Sequence, residues 1–275
     1  MTSTAVFASG LGLGESPRWH DGRLWVCDWV AGEVLRFDRS GDRDAVFRIS
    51  GLPFSVDWLA DGRPLLTSPD GVLVADHGLL TSYGGAGTGW NEIVVDGHDN
   101  VFVNTVGFDL MGGEEPKPGR VSVITPDGAR RTVAEDVWFP NGMAVTDDGR
   151  TLVLAESYGR CLTAFDLAPD GSLSNRRTWA NLGDGAPDGI CLDADGAVWY
   201  ADVPNRRCVR VREGGAVLDT VEVDRGCFAC MLGGEDGRTL FITAAEWGGV
   251  TGIGGPDRTG QVLAYDAPAP RAGRP

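Results

Sequence analysis

The feature that most constrains the fold is an internal repeat. Six times the chain presents an apolar segment, a tight turn usually built on Asp-Gly, and a second apolar segment. A period of about 40 to 50 residues with roughly four short strands in each copy is typical of the blades of a β-propeller. The sequence therefore predicts an all-β, six-bladed β-propeller that fills residues 15 to about 266. The turn residues of the six copies, separated by 38 to 49 positions, are Gly22, Gly62, Asn100, Gly149, Gly196 and Gly237.

The glycine content points the same way. The chain has 41 glycines in 275 residues, about twice the usual share of ~7%. Glycines spread outside low-complexity tracts indicate many tight turns and therefore many short strands. No window shows the sustained period of an amphipathic helix. We expect residues 1–275 to form a single domain, because dividing the ring would leave open sheet edges on both halves.

The N-terminal stretch Thr4–Ala8 has strand character and finds no partner within the first repeat. We expect it to add the outermost strand to the last blade. That pairing would close the ring and remove an exposed edge.

Charge and hydropathy exclude several classes of protein. The chain has 24 basic and 39 acidic residues, a formal net charge of −15, whereas a nucleic-acid binder needs a basic footprint. No apolar run approaches the ~20 residues of a membrane span, and the first residues lack the pattern of a secretory signal. We expect a cytoplasmic protein, a monomer or weak homodimer, whose partner is a small-molecule substrate and neither nucleic acid nor a membrane.

The cysteines predict buried thiols rather than disulfides, because a chain without an export signal meets a reducing environment. The Cys227–Cys230 pair has neither the second pair of a zinc site nor the βαβ surroundings of a redox site. The six residues are Cys27, Cys161, Cys191, Cys208, Cys227 and Cys230.

The starts of the first strands of the blades are the best place to look for a site. In a propeller these strands line the central channel, and their starts lie at one end of it. Four of the six equivalent positions carry oxygen donors: Glu15, Asn91, Asn141 and Asp188. The other two carry Phe54 or Ser55, and Ala229 or Cys230.

Turn chemistry alone explains an Asn or Asp before a strand, but it does not favour a glutamate. Two carboxylates and two amides that converge on one axis suit a hard divalent cation. Without a cation, Glu15 and Asp188 would repel each other. Because all the donors are oxygens, the pattern favours Ca²⁺, with Zn²⁺, Mn²⁺ and Mg²⁺ as alternatives.

Four segments resemble the SMP-30/gluconolactonase/LRE (regucalcin-like) family: GESPRWHDGRLWVCD, NEIVVDG, FPNGMAVTDDGRTLVLAES and APDGICLDADGAVWYAD. They occur in the family's order and cover nearly the whole chain. The resemblance implies a six-bladed propeller with a divalent metal in its channel and hydrolysis of lactones or related esters. It implies that Glu15, Asn141 and Asp188 bind the metal and that Asp188 is also the general base. It implies further that Asn91 completes the metal shell or holds substrate.

The chain departs from that pattern on the substrate side. Many relatives have Asn-Asp where this chain has Asn91–Glu92, and animal-type sugar lactonases place an arginine where it has Gly89. The segment 104–119 also differs. These changes favour a more apolar substrate, with Trp90, Phe108 and Trp138 as expected substrate contacts beside Asn91. Phe54 and Met111 are expected nearby.

We expect a cation to polarise a lactone carbonyl while Asp188 takes a proton from the attacking water. Two alternatives stay open, because fold does not fix function. One is a tailoring enzyme of the strictosidine-synthase type, and the other is a metal- or ligand-binding propeller without catalysis. In either enzyme, Phe108 and the segment 104–119 would act as a lid over the site.

Overall fold

The computed structural model describes residues 4–87, 89–249, 252–253 and 257–275. Within these ranges the regular structure is β-strand, arranged as six antiparallel sheets that form a six-bladed β-propeller. The predicted fold class is therefore confirmed.

Apart from the first and the last strand, the strands fill the six blades in chain order. Blade one contains β2 (Gly14–His20), β3 (Arg23–Asp28), β4 (Glu33–Phe37) and β5 (Arg43–Arg48); blade two contains β6 (Val56–Trp58), β7 (Pro64–Ser68), β8 (Gly71–Asp76) and β9 (Leu79–Ala86). Blade three contains β10 (Ile93–Val95), β11 (Val101–Thr105), β12 (Gly119–Ile124) and β13 (Arg130–Val137); blade four contains β14 (Pro140–Val145), β15 (Thr151–Glu156), β16 (Cys161–Leu167) and β17 (Leu173–Asn181). Blade five contains β18 (Pro187–Asp193), β19 (Val198–Asp202), β20 (Arg207–Val211), β21 (Val217–Glu222) and β25 (Arg271–Ala272); blade six contains β22 (Gly226–Gly233), β23 (Thr239–Ala245), β24 (Gly260–Asp266) and β1 (Ala5–Leu11).

The tight turns behave as their sequences predict. Asp21 and Gly22, between β2 and β3, both have positive φ, 49° and 68°. Two successive positive φ values are the geometry of the hairpin turn that Asp-Gly favours. Burial then falls from the inner to the outer strand of a blade, since β22 is buried throughout whereas β5 is mostly exposed.

Strand β1 closes the ring as expected. It pairs antiparallel with β24, from Ala5 opposite Ala264 to Leu11 opposite Gly260. The strand reaches three residues beyond the predicted end at Ala8, and Leu11 is fully buried. Pairing the N-terminal strand with the last blade covers an edge that would otherwise be free to pair with another chain.

The core lies between neighbouring blades, which pack face to face. One cluster combines residues of blades two and three, among them Val72 and Ile93, and another combines blades five and six. At Gly142 the inner strands approach backbone to backbone. A Cβ on residue 142 would lie 2.6 Å from the backbone nitrogen of Ile190 and 2.7 Å from the backbone carbonyl oxygen of Asp188. Glycine therefore sets how closely β14 and β18 stand at the start of the channel.

The C-terminal segment forms an element that the repeat did not predict. Strand β25 adds to the inner strand β18, with Ala272 opposite Leu192. Arg274 then exchanges two backbone hydrogen bonds of 2.8 Å with Val145 at the end of β14. The segment thus crosses the end of the channel at which the inner strands finish.

All six cysteines are free, as the sequence predicts, and all except the half-buried Cys161 are buried. Nowhere in the described ranges is there a helix of the length and apolar character needed to cross a bilayer.

Candidate functional site

The inner strands place the predicted donors at one level of the channel. Glu15, Asn141 and Asp188 are each the second residue of their inner strand, β2, β14 and β18. Asn91 lies two residues before the inner strand β10. Because inner strands of a propeller run in one direction along the axis, these four positions face one end of the channel.

The two predicted metal-binding carboxylates lie close together. Burial raises the pKa of Glu15 well above its usual value, and the charges of Asp188 and Glu92 raise it further. Burial likewise raises the pKa of Asp188, with Glu92 adding to the effect, while a hydrogen bond from the Asn141 side chain opposes it. The Glu15 side chain is almost fully buried. Burial and like charge both disfavour the ionised forms of this pair.

Hydrogen bonds join blade three to blade four around the amides. The Asn91 Nδ2 group donates to the Pro140 carbonyl at 3.2 Å, and the Asn104 Nδ2 group donates to the Asn141 carbonyl at 2.7 Å. The Asn91 backbone nitrogen donates to the Asn104 carbonyl at 2.8 Å. These bonds hold Asn91 beside the start of β14.

A second set of bonds joins blade four to blade five. The Asn141 Nδ2 group donates to Ser157 Oγ at 3.4 Å, and Ser157 Oγ donates to the Pro187 carbonyl at 2.7 Å. Pro187 immediately precedes Asp188, so Ser157 positions both a predicted ligand and the predicted base.

Glu92 brings a third carboxylate to the site, and Arg18 balances its charge. Its Oε1 atom accepts hydrogen bonds from Arg18 at 2.9 Å, from Ser16 Oγ at 3.2 Å and from the Ile93 nitrogen at 2.8 Å. Within the described residues neither Glu15 nor Asp188 has such an ion pair with a lysine or arginine. Glu15 and Asp188 are therefore the carboxylates of the site without an ion-pair partner, although the charge of Arg18 opposes part of the rise in the pKa of Glu15.

These residues fit a hard divalent cation. In the part of the chain that the structure describes, no group of three or more His, Cys, Asp or Glu side chains is arranged as a metal site by itself. The candidate set is two carboxylates with the amides Asn141 and Asn91, and oxygen donors of this kind are those that Ca²⁺ takes. A cation between Glu15 and Asp188 would remove their repulsion.

The predicted substrate contacts divide into two groups. Phe108 is 9% exposed and packs against Phe139 and Tyr158, with ring centroids 5.9 and 6.1 Å away. Trp138 is 43% exposed and precedes Phe139 at the rim of blade four. Since Asn141 follows Phe139 by two residues, this aromatic cluster stands next to the candidate metal site.

Trp90 lies elsewhere. Its ring is 4% exposed, belongs to the core between blades two and three, and has the Arg130 guanidinium 5.7 Å from its centroid. Phe54 is also fully buried in a core cluster. The ring of Trp90 thus packs inside the blades, and we leave it out of the substrate contacts proposed below.

Comparison with known proteins identifies the family of the chain. A family model described as the SMP-30/Gluconolactonase/LRE-like region matches residues 13–246. The chain belongs to this family.

Its relatives include named lactonases. The chain is 28% identical to pentonolactonase XacC of Haloferax volcanii, covering 94% of this chain and 91% of that protein. It is 26% identical to 6-deoxy-6-sulfogluconolactonase of Pseudomonas putida, covering 85% and 84%. The solved structure of regucalcin from Agrobacterium tumefaciens, a calcium-binding protein, has a TM-score of 0.79 at 20% identity and covers 100% of this chain and 98% of that one. This last likeness supports the propeller fold.

Glu156 is a buried residue of this family member that sequence reasoning missed. It is 2% exposed, and its Oε2 atom accepts the Trp138 N–H at 2.7 Å. Its Oε1 atom accepts Thr163 Oγ1 at 2.6 Å and Arg176 at 3.0 Å. Glu156 therefore fixes the turn between β13 and β14, where Asp136 at the end of β13 and Phe139 in the turn both have positive φ.

The position of Glu156 explains why its role could not be predicted from the sequence. Glu156 ends β15 in an ordinary apolar segment, and its partners lie on three other strands or turns. The one available signal was a charged residue at a position where the strand pattern predicts burial.

We predict that Glu156→Ala destabilises the protein by about 2 kcal/mol, because three donors, the Trp138 backbone N–H, the Thr163 hydroxyl and Arg176, lose their acceptor. Urea unfolding followed by tryptophan fluorescence measures the change. Glu135→Gln, an exposed side chain next to the same turn, is the matched control and should unfold like the wild type. Equal midpoints for Glu156→Ala and the control would contradict this role.

Proposed function

We propose that the chain is a divalent-metal-dependent hydrolase that opens a lactone or a related ester. The observation that carries the proposal is the convergence of Glu15, Asp188 and Asn141 at the starts of three inner strands. Neither carboxylate forms an ion pair with a lysine or arginine within the described residues, and burial and neighbouring carboxylates raise the pKa of each. The lactonase names of the relatives support the reaction class.

Glu15, Asn141 and Asp188 would hold the cation, and Asn91 would complete its shell or bind substrate. Calcium is the ion that this all-oxygen set favours, and regucalcin, a structural neighbour, is named as calcium-binding. When bound, a divalent cation supplies polarisation of the substrate carbonyl and stabilisation of the negative charge that develops on its oxygen.

Asp188 is the residue proposed to move the proton. Asp188 is a half-buried residue at the start of β18. It would take a proton from the attacking water and return it to the leaving alkoxide. Burial raises the pKa of Asp188, and the hydrogen bond from Asn141 opposes part of that rise. A cation bound next to the carboxylate would oppose it further and favour the ionised form that a base needs.

The aromatic cluster of Phe108, Phe139 and Tyr158 is proposed to bind the apolar part of the substrate. Tyr158 is 48% exposed, so the cluster offers ring surface at the rim beside Asn141. Gly89 stands where sugar lactonases of the animal type have an arginine. A substrate with fewer hydroxyl groups than a sugar lactone is therefore favoured.

Asp188→Asn tests the proposed base. The substitution keeps the size of the side chain but removes its ability to take a proton, so turnover should fall by about 10³-fold or more, in the range of a lost general base. A pH-stat assay on a panel of simple lactones with added Ca²⁺ measures it. Asp21→Asn, whose side chain is 88% exposed, should retain full activity.

The same panel of lactones also distinguishes a hydrolase from a tailoring enzyme or a binding propeller. Lactone hydrolysis that survives in Asp188→Asn would exclude this residue as the base. A wild type that binds Ca²⁺ but hydrolyses no lactone or ester would instead indicate a tailoring enzyme or a binding propeller.

Phe108→Ala tests the aromatic contact with substrate. Because the ring contacts substrate and not the cation, KM for an apolar lactone should rise about tenfold, while Ca²⁺ affinity stays the same. Steady-state kinetics and calorimetry measure the two quantities. Leu79→Ala, which removes an exposed side chain on blade two, serves as the control. A collapse of Ca²⁺ affinity, or an unchanged KM across the panel, would refute the contact.

A further inference from the structure

The three blades that carry the proposed metal ligands share a further feature, a buried carboxylate at the end of the second strand. Strand β3 ends at Asp28, β15 at Glu156 and β19 at Asp202, and each of these residues is at most 2% exposed. Burying a charged side chain costs free energy, so three such residues at one level of the fold need an explanation. The other three blades end the same strand with Ser68, Thr105 and Ala245.

The strand register relates each carboxylate to a ligand in the same way. Each of the three lies opposite the first residue of the inner strand of its own blade, and the proposed ligand is the next residue of that strand. The regularity covers three separate pairs of strands, so the positions of the carboxylates follow those of the ligands. Their partners across the ladder are, in the order of the blades, Gly14, Pro140 and Pro187.

In blade one the carboxylate binds the chain that leads into the inner strand. Asp28 accepts the backbone N–H of Gly12 at 3.0 Å and that of Leu13 at 3.3 Å. These donors lie three and two residues before Glu15. Buried backbone N–H groups outside a ladder need an acceptor, and here one carboxylate satisfies two of them.

Blades four and five repeat this contact. The Trp138 N–H, three residues before the ligand of blade four, donates to Glu156 at 2.7 Å. The Ala186 N–H, two residues before Asp188, donates to Asp202 at 3.3 Å. The inner strand of each of these blades begins with proline, which has no N–H to donate to the ladder. The side-chain hydrogen bond therefore ties down the chain where the inner strand begins.

Each of these carboxylates also has an arginine partner, whereas Glu15 and Asp188 have none within the ranges that the structure describes. An oxygen that already accepts a backbone N–H and an arginine is engaged in holding the chain, so these three groups are poorly placed to bind a cation themselves. The ion pairs are Asp28 with Arg258 at 3.2 Å, Glu156 with Arg176 at 3.0 Å and Asp202 with Arg207 at 3.0 Å.

We propose that Asp28, Glu156 and Asp202 are positioning residues of the metal site. Each anchors the chain two or three residues before a ligand and thereby fixes where that ligand stands in the channel. This inference rests on the proposed function, because it takes the second residues of β2, β14 and β18 as the ligands. Groups that orient metal ligands typically change metal affinity by about 10- to 100-fold when they are removed.

Asp202 gives the sharpest test, because blade five contains a matched control. Asp193 is 2% exposed, accepts the N–H groups of Asp195 and Ala197, both at 3.0 Å, and pairs with Arg210 at 2.7 Å. It ends β18, so it lies at the other end of the blade from the candidate site. Asp202→Ala and Asp193→Ala thus remove similar groups, and both should lower the midpoint of urea unfolding.

Calorimetric titration of Ca²⁺ into chelator-stripped protein distinguishes positioning from stability. Asp202→Ala should weaken Ca²⁺ binding about tenfold or more, whereas Asp193→Ala should bind like the wild type. Asp202→Asn, which keeps an acceptor oxygen for the Ala186 N–H, should recover part of the affinity. Asp28→Ala tests the same role in blade one and should also weaken binding, so the inference can be tested even if Asp202→Ala does not fold.

Three outcomes would overturn the inference while leaving the proposed function in place. One is equal Ca²⁺ affinity in Asp202→Ala and Asp193→Ala. Another is Asp202→Asn binding as weakly as Asp202→Ala, which would assign the effect to lost charge. The third is wild-type affinity in Asp28→Ala. Wild-type protein that binds none of Ca²⁺, Mn²⁺ and Zn²⁺ would instead overturn the proposed function, and this inference with it.

Discussion

The structure depends on one geometric constraint, which is that the inner strands of all six blades run in the same direction along a common axis. Residues far apart in the chain, such as Glu15 and Asp188, then meet because each occupies the second position of its strand. Bringing two carboxylates into a buried channel costs free energy, and Glu15 and Asp188 both show this in their raised pKa values. A fold that maintains such an arrangement has to hold it rigidly.

That rigidity comes from hydrogen bonds that cross from blade to blade. Asn104 joins blade three to blade four, Ser157 joins blade four to blade five, and Arg18 joins blade one to Glu92 on blade three. Two residues beside the site, Ser16 and Phe139, have positive φ, a conformation that costs free energy for residues other than glycine and often occurs at functional sites. The surrounding bonds offset this cost, since Ser16 Oγ contacts Glu92 and Glu156 holds the turn that contains Phe139.

The fold could be predicted because each blade repeats a local signal, an Asp-Gly turn between apolar segments, and because propeller geometry places the starts of the inner strands together. The positions of Glu15, Asn91, Asn141 and Asp188 follow from that rule alone. Contacts that join different blades leave no such periodic signal. The pairing of Glu92 with Arg18, the turn held by Glu156 and the C-terminal segment across the channel therefore emerged only from the structure. Trp90 shows the same limit, because whether a ring before a strand faces the channel or the core depends on a neighbouring blade.

Titration of Ca²⁺ into protein stripped with a chelator, with lactone hydrolysis followed at each addition, tests whether these residues form one metal-dependent centre. We predict one ion per chain and a rate that rises in proportion to the bound fraction, with both lost in Glu15→Gln. Full hydrolysis by the stripped protein, or binding and activity unchanged in Glu15→Gln, would contradict this account of the site.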